Sequence, residues 1–127
     1  MPKASKETAS ESERFEGVVE ERRERLDGYT VEFTTFLGDL DGAPMLKGLP
    51  DDQCQCPHWG YVFEGTLTFR FSDREERFEA GDAFYVPPGH VPEMRAGTEV
   101  VWFHPTEELE QTMAAIRANM GAAGAGA

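Results

Sequence analysis

The feature that most constrains this chain is a strand-like stretch, residues 53–65, in which ligand-type side chains alternate with large aromatic ones. Side chains of a strand point alternately to its two faces. One face would carry Cys54, Cys56, His58 and Val62, and the other would carry Trp59, Tyr61 and Phe63. The alternation therefore predicts that two thiols and one imidazole share one face of a strand.

His90 is the fourth candidate ligand, because the Pro-Pro-Gly turn before it can direct its ring to the same face. Thiolates and imidazoles together favour zinc, with iron or copper as alternatives. Two thiolates and two neutral imidazoles would carry a charge that offsets a divalent ion. The predicted ligands of a divalent transition metal are Cys54, Cys56, His58 and His90.

Other interpretations of these residues stay open. The cysteines could be small buried apolar residues, and the histidines could be ordinary core or surface residues. Four ligands would close the ion and make it structural, whereas three would leave a position for water or substrate. Same-face neighbours on a strand lie about 7 Å apart, so both thiols reach one ion only by leaning together. The candidate catalytic acids or bases near the site are Asp52 and Glu93.

The rest of the chain predicts an all-β domain followed by one helix. Short apolar segments separated by turns are typical of a sandwich or barrel. Residues 1–14 and 121–127 have little apolar content or many small residues, and we expect frayed tails there. The barrel is predicted over residues 15–105 and the helix over residues 106–120. The expected strands cover residues 29–37, 66–71, 74–79, 83–86, 94–96 and 98–103.

The predicted helix begins at Thr106, a good N-cap residue followed by two glutamates. Its apolar residues fall on one stripe. They are Leu109, Met113, Ile116 and Met120. The stripe favours packing on the outside of the barrel or on a partner subunit, and a Met-rich binding groove is the alternative. His104, just before the helix, is expected to bond to nearby backbone.

Two segments resemble motifs of the cupin superfamily. Residues 61–65 resemble the end of the first cupin motif, and residues 81–89 match the second, in which five residues separate a glycine from Pro-x-Gly. The resemblance implies a single double-stranded β-helix barrel of the jelly-roll type. Cupins commonly pair through their outer strands, so the resemblance also implies a homodimer that covers Trp59, Tyr61 and Phe63. The alternative is that the N-terminal strand and the C-terminal helix cover these rings.

The resemblance does not extend to the usual cupin ligands, which are three histidines and one glutamate. Aligned on the motif glycine, His58 occupies the glutamate position and Cys54 a histidine position. The position of the last histidine is Pro92, which cannot bind a metal. The iron or manganese chemistry typical of cupins is therefore not implied for this chain.

Composition limits the partners and the location. A net charge of −12 argues against nucleic acid or an anionic membrane as the main partner. No apolar run approaches the roughly 20 residues of a membrane span, so we expect a cytoplasmic protein. The predicted function is a metal-binding cupin with an unidentified small-molecule ligand. The alternative is a cupin metalloenzyme of the dioxygenase or isomerase type.

Overall fold

The computed structural model describes residues 3–125, which form ten strands, two short 3-10 helices and one α-helix. The strands are β1 (Glu11–Phe15), β2 (Val19–Leu26), β3 (Tyr29–Phe36), β4 (Leu40–Asp41), β5 (His58–Glu64), β6 (Thr66–Arg70), β7 (Glu75–Glu79), β8 (Ala83–Val86), β9 (Val91–Met94) and β10 (Glu99–Pro105). The 3-10 helices span Ala43–Leu46 and Pro50–Asp52, and the helix α1 spans Thr106–Ala125.

The strands form two antiparallel sheets. One has the order β1-β2-β3-β10-β5-β8, and the other has the order β4-β9-β6-β7. The inner faces of the sheets share an apolar core that includes Val62, Phe69, Val86 and Val100. This arrangement confirms the predicted all-β barrel with a C-terminal helix. The adjacent strands β5 and β10 carry two residues of the candidate site, His58 and His104.

Gly65 allows the chain to pass from the first sheet to the second. It lies between β5 and β6 with a φ of 82°, a conformation that residues with a side chain rarely adopt. A Cβ atom at this position would collide with Thr98. The close approach explains why the turn after the ligand-bearing strand requires glycine.

Strand β1 corrects the prediction of a frayed tail over residues 1–14. Its five residues pair with β2, and charged side chains hold the pairing. Arg14 contacts Glu20 at 3.1 Å, and Glu13 contacts Arg23 at 2.7 Å. The strand has almost no apolar content, so hydrophobic periodicity could not reveal it.

Two further boundaries differ from the prediction. Strand β9 spans Val91–Met94, whereas the sequence predicts a strand over residues 94–96. The strand includes Pro92, whose carbonyl accepts the N–H of Gly42 at 2.8 Å. The helix continues past the predicted end at Met120 to Ala125. Residues 1, 2, 126 and 127, which belong to the predicted tails, lie outside the described residues.

Helix α1 covers one end of the barrel. Leu109 and Met113 are buried against Leu46 and Cys54, which fits the predicted packing on the barrel. The Nδ2 atom of Asn119 donates to the carbonyl of Met45 at 2.6 Å and to that of Lys47 at 3.0 Å. Among residues 3–125, no helix is long and apolar enough to cross a membrane.

Candidate metal centre

Three buried histidines lie side by side under helix α1, with His58 in the middle. His58 Nε2 is 2.9 Å from His90 Nε2, and His58 Nδ1 is 2.7 Å from His104 Nδ1. His58 begins β5, and His104 lies in the neighbouring strand β10. His90 is positioned by its bridge with Cys54, whose N–H donates to the His90 carbonyl at 2.8 Å.

The ring nitrogen of His90 that points away from His58 shows where the ring proton of His90 lies. His90 Nδ1 is 2.8 Å from the carbonyl oxygen of Pro87, which can only accept a hydrogen bond. His90 Nδ1 must therefore carry the ring proton. Burial lowers the pKa of His90 to about 4, so the ring is neutral near pH 7 and its Nε2 presents a lone pair to His58.

The outer nitrogen of His104 is held in the same manner by a carboxylate. His104 Nε2 lies 3.1 Å from Glu32 Oε1. Burial raises the pKa of Glu32, but hydrogen bonds from Glu21 and His104 lower it well below the ordinary value. Glu32 is thus an ionised acceptor, so Nε2 carries the proton and, in the neutral ring, His104 Nδ1 presents a lone pair to His58.

An arginine balances the charge of this carboxylate. Arg23 Nε contacts Glu32 Oε2 at 2.5 Å, and its other nitrogens contact Glu21 at 2.9 Å and Glu13 at 2.7 Å. Burial raises the pKa of Glu21 well above its ordinary value, with the neighbouring charge of Glu32 as the second cause. Glu21 is therefore the protonated member of the buried carboxyl pair.

His58 has a histidine nitrogen next to each of its two ring nitrogens. Burial lowers the pKa of His58 well below its ordinary value, and the charges of His104 and His90 lower it further. A neutral His58 carries a single ring proton, so one of its ring nitrogens presents a lone pair to a histidine nitrogen less than 3 Å away. Buried imidazole nitrogens that lie this close together are donors that a transition metal takes, so the residues present fit a metal ion.

Cys54 completes a ligand set on the His90 side. Its Sγ lies 3.7 Å from His58 Nε2, and ligand atoms of Cys54, His58 and His90 all lie within 4.8 Å of one another. All three residues are buried. Burial raises the pKa of the Cys54 thiol, so a metal must displace its proton to bind sulfur.

Cys56 belongs to a different group. Its ligand atom lies within 4.8 Å of those of His58 and His104, not in the group formed by Cys54 and His90. Its Sγ donates to the Pro57 carbonyl at 3.5 Å. Burial raises the pKa of this thiol, and the charge of Cys54 adds to that effect.

A cavity of about 80 Å³ lies between this cluster and helix α1. Cys54, His58, His90 and His104 border it, and most of its wall is apolar. Side chains of the helix contribute to the wall, including Leu109, Met113, Ile116 and Met120. The volume suits a few water molecules or a small chemical group, since pockets for drug-sized ligands measure about 300–1,000 Å³.

Comparisons with known proteins agree on the fold. A sequence model of the AraC-like ligand binding domain family matches residues 57–119. The polyketide cyclase RemF from Streptomyces resistomycificus superposes with a TM-score of 0.57 at 14% identity, covering 83% of this chain and 79% of its own. An RmlC-like cupin from Shewanella frigidimarina superposes with a TM-score of 0.53 at 19% identity, covering 80% of this chain and 88% of its own. The chain has the cupin fold.

KdgF from Halomonas sp. is a further structural neighbour, with a TM-score of 0.52 at 14% identity, covering 75% of this cupin and 87% of its own chain. No curated protein matches the sequence. At identities this low, the likeness to solved structures concerns the fold of this cupin and not its chemistry.

The structure divides the four predicted ligands of this cupin into two groups. Cys54, His58 and His90 come together, whereas Cys56 faces His58 and His104. The predicted single strand through both cysteines is wrong, because β5 begins only at His58. Cys54 is held by its bridge to His90, which is a tertiary contact.

His104 belongs to the cluster, although the sequence analysis predicts only a bond to nearby backbone. Its ring contacts His58 and Glu32 instead. Strand alternation in β10 contained the signal, since Val100, Trp102 and His104 are all buried on the inner face. The two acidic candidates lie elsewhere: Asp52 accepts the N–H of Gly48, and Glu93 pairs with Arg70.

Proposed function

We propose that this cupin binds one divalent transition metal, most readily zinc, through Cys54, His58 and His90. The observation that supports the proposal most directly is the pair of Nε2 atoms, His58 and His90, 2.9 Å apart beside a thiol. Zinc is commonly held by three such nitrogen and sulfur ligands, at about 2.0–2.1 Å from nitrogen and 2.3 Å from sulfur. Modest spreading of the rings would accommodate it.

Three protein ligands leave one position of a tetrahedral ion free. All three ligand residues border the apolar cavity, so we assign this position to water or to a small molecule entering the cavity. The volume of about 80 Å³ favours a ligand of few atoms, or one that enters when helix α1 shifts. Binding of a small molecule at the metal is thus the proposed role.

A cupin metalloenzyme of the dioxygenase or isomerase type is the second candidate. An ion with a free position can polarise a carbonyl or activate water, and the three-residue ligand set favours this candidate over a purely structural ion. The neighbour RemF is described as a polyketide cyclase.

Metal content of single variants tests the proposal. The wild type, incubated with zinc and desalted, should retain zinc, and Cys54→Ser and His90→Ala should each retain less than the wild type does. Asp52→Asn is the matched control, because Asp52 is exposed and lies outside both ligand groups. A wild type without bound metal would refute the proposal, as would full retention by both ligand variants.

We also propose that this cupin forms a homodimer through the outer face of the six-stranded sheet. Six aromatic side chains on this face are 40–52% exposed. They are Tyr29, Trp59, Tyr61, Phe63, Tyr85 and Phe103. The strand register places them side by side, with Phe103 opposite Trp59 and Trp59 opposite Tyr85.

A second copy is the favoured occupant of this face because a two-fold contact would bury the same uncharged rings on both chains. A chain with a net charge of −12 can associate with itself most easily where the surfaces that meet consist largely of uncharged rings.

We also propose a cytoplasmic location, where reducing conditions keep Cys54 and Cys56 as the free thiols that a metal requires.

A further inference from the structure

We infer that Cys56 and His104 hold a second metal ion on the side of His58 opposite to Cys54 and His90. His58 would then bridge two ions, one at each ring nitrogen. The inference rests on the proposed function for the first ion, and it adds a second position that the family's usual single site does not contain. The following observations concern this second side only.

The second side has the same construction as the first. Each outer histidine has its far nitrogen held by a group that only accepts, the Pro87 carbonyl for His90 and the Glu32 carboxylate for His104. Each outer histidine therefore turns its other ring nitrogen toward one nitrogen of His58. A cysteine accompanies each pair, Cys54 on one side and Cys56 on the other.

The ligand atoms of Cys56, His58 and His104 lie within 4.8 Å of one another. The three side chains are buried, with Cys56 at 0% and His104 at 1% exposure. His58 Nδ1 and His104 Nδ1 are 2.7 Å apart, so the rings would separate slightly around an ion. Removal of water strengthens the binding of a cation by such a group of donors.

Charge is balanced when both positions are filled. To coordinate through both nitrogens, His58 releases its ring proton to solvent, and Cys54 and Cys56 each release a thiol proton. Two thiolates, the His58 imidazolate and the Glu32 carboxylate then offset the four positive charges of two divalent ions. Arg23 adds one positive charge, and Glu13, which Arg23 contacts at 2.7 Å and which also pairs with the half-exposed Arg117, adds one negative charge. The buried cluster would therefore carry no large excess charge.

The two positions differ in their contact with the cavity. All three ligands of the first ion border the cavity under helix α1, whereas in the second set His58 and His104 border it and Cys56 does not. The second ion would therefore be the less accessible of the two, and it would fix the orientation of His58. We assign the first ion to ligand binding and the second ion to structural support of the shared histidine.

Native mass spectrometry with added zinc tests the inference. The wild type should bind two ions per chain, and Cys56→Ser and His104→Gln should each bind one. Cys54→Ser is the matched variant of the first side, and it should also bind one. A wild type that binds a single ion would overturn the inference while leaving the proposed function intact. A wild type that binds none would overturn both.

A second measurement avoids reliance on variants that could fold poorly. Wild-type protein loaded with cadmium-113 should give two resonances of equal intensity at saturation. The His58 ring should lose its exchangeable proton in the same sample, because both nitrogens are coordinated. One resonance at saturation, or a retained ring proton on His58, would contradict the bridged arrangement.

Discussion

Glu32 Oε1 lies 3.1 Å from His104 Nε2, and this contact determines which nitrogens of the buried histidines carry protons. The carboxylate keeps a proton on His104 Nε2, so His104 Nδ1 can accept from His58 Nδ1. His58 Nε2 is then free for a metal on the Cys54 side. Groups that orient metal-binding histidines in this way commonly change metal affinity by about 10–100-fold when replaced.

Glu32→Gln should therefore weaken zinc binding by about 10–100-fold. The amide can donate to His104 Nε2, which would move the His104 proton to Nδ1 and the His58 proton to Nε2, where it competes with the metal. Competition with a chromophoric chelator would measure the affinity. Glu75→Gln, on the exposed face of β7, is the control. Equal affinity of Glu32→Gln and wild type would refute the role of Glu32.

Zinc affinity should rise with pH between about pH 6 and pH 8, by about tenfold per unit for the first ion. The reason is that burial raises the pKa of Cys54 above its ordinary value of 9.0, so the thiol is protonated throughout this range and one proton leaves on binding. The histidines do not add to the slope there, because burial lowers the pKa of His90 to about 4 and that of His58 well below its ordinary value.

Chelator competition across this pH range would measure the slope. Binding of a second ion would make it steeper at high zinc concentration, so the measurement uses less than one equivalent of metal. An affinity that does not change with pH would show that sulfur is not a ligand.

Asn119→Ala should loosen helix α1 over the cavity. The change removes two hydrogen bonds, to the carbonyls of Met45 and Lys47, and should lower the free energy of unfolding by about 1–2 kcal/mol. Bound zinc should also pass to a chelator faster, because the helix covers the ligands. Glu107→Gln, at an exposed position on the first turn, is the control. An unchanged transfer rate would mean that metal leaves by another route.

Tyr61→Arg should convert a homodimer into a monomer. The substitution places a charge among the exposed rings of β5, where a second copy would have to desolvate it. Light scattering at micromolar concentration would give twice the chain mass for the wild type and the chain mass for the variant. Arg77→Glu, on the four-stranded sheet, should leave the mass unchanged. A monomeric wild type would refute the dimer.

Several features of this cupin follow from local sequence. Alternation in β5 correctly separated the buried His58 and Val62 from the exposed aromatic residues, because the two-residue period of a strand is a local property. The glycine and proline signals of residues 81–89 similarly placed β8 and the turn before His90. Both predictions needed only neighbours along the chain.

The ligand grouping depended on the tertiary structure instead. Cys54 and Cys56 seemed to share a strand face, but the bridge to His90 and the start of β5 at His58 turned them toward opposite sides of one imidazole. His104 and Glu32 entered the cluster through the pairing of β10 with β3, which joins residues 72 positions apart. Local periodicity determines which face a side chain occupies, but only the folded register determines which side chains from distant strands meet, and the chemistry of this site depends on that meeting.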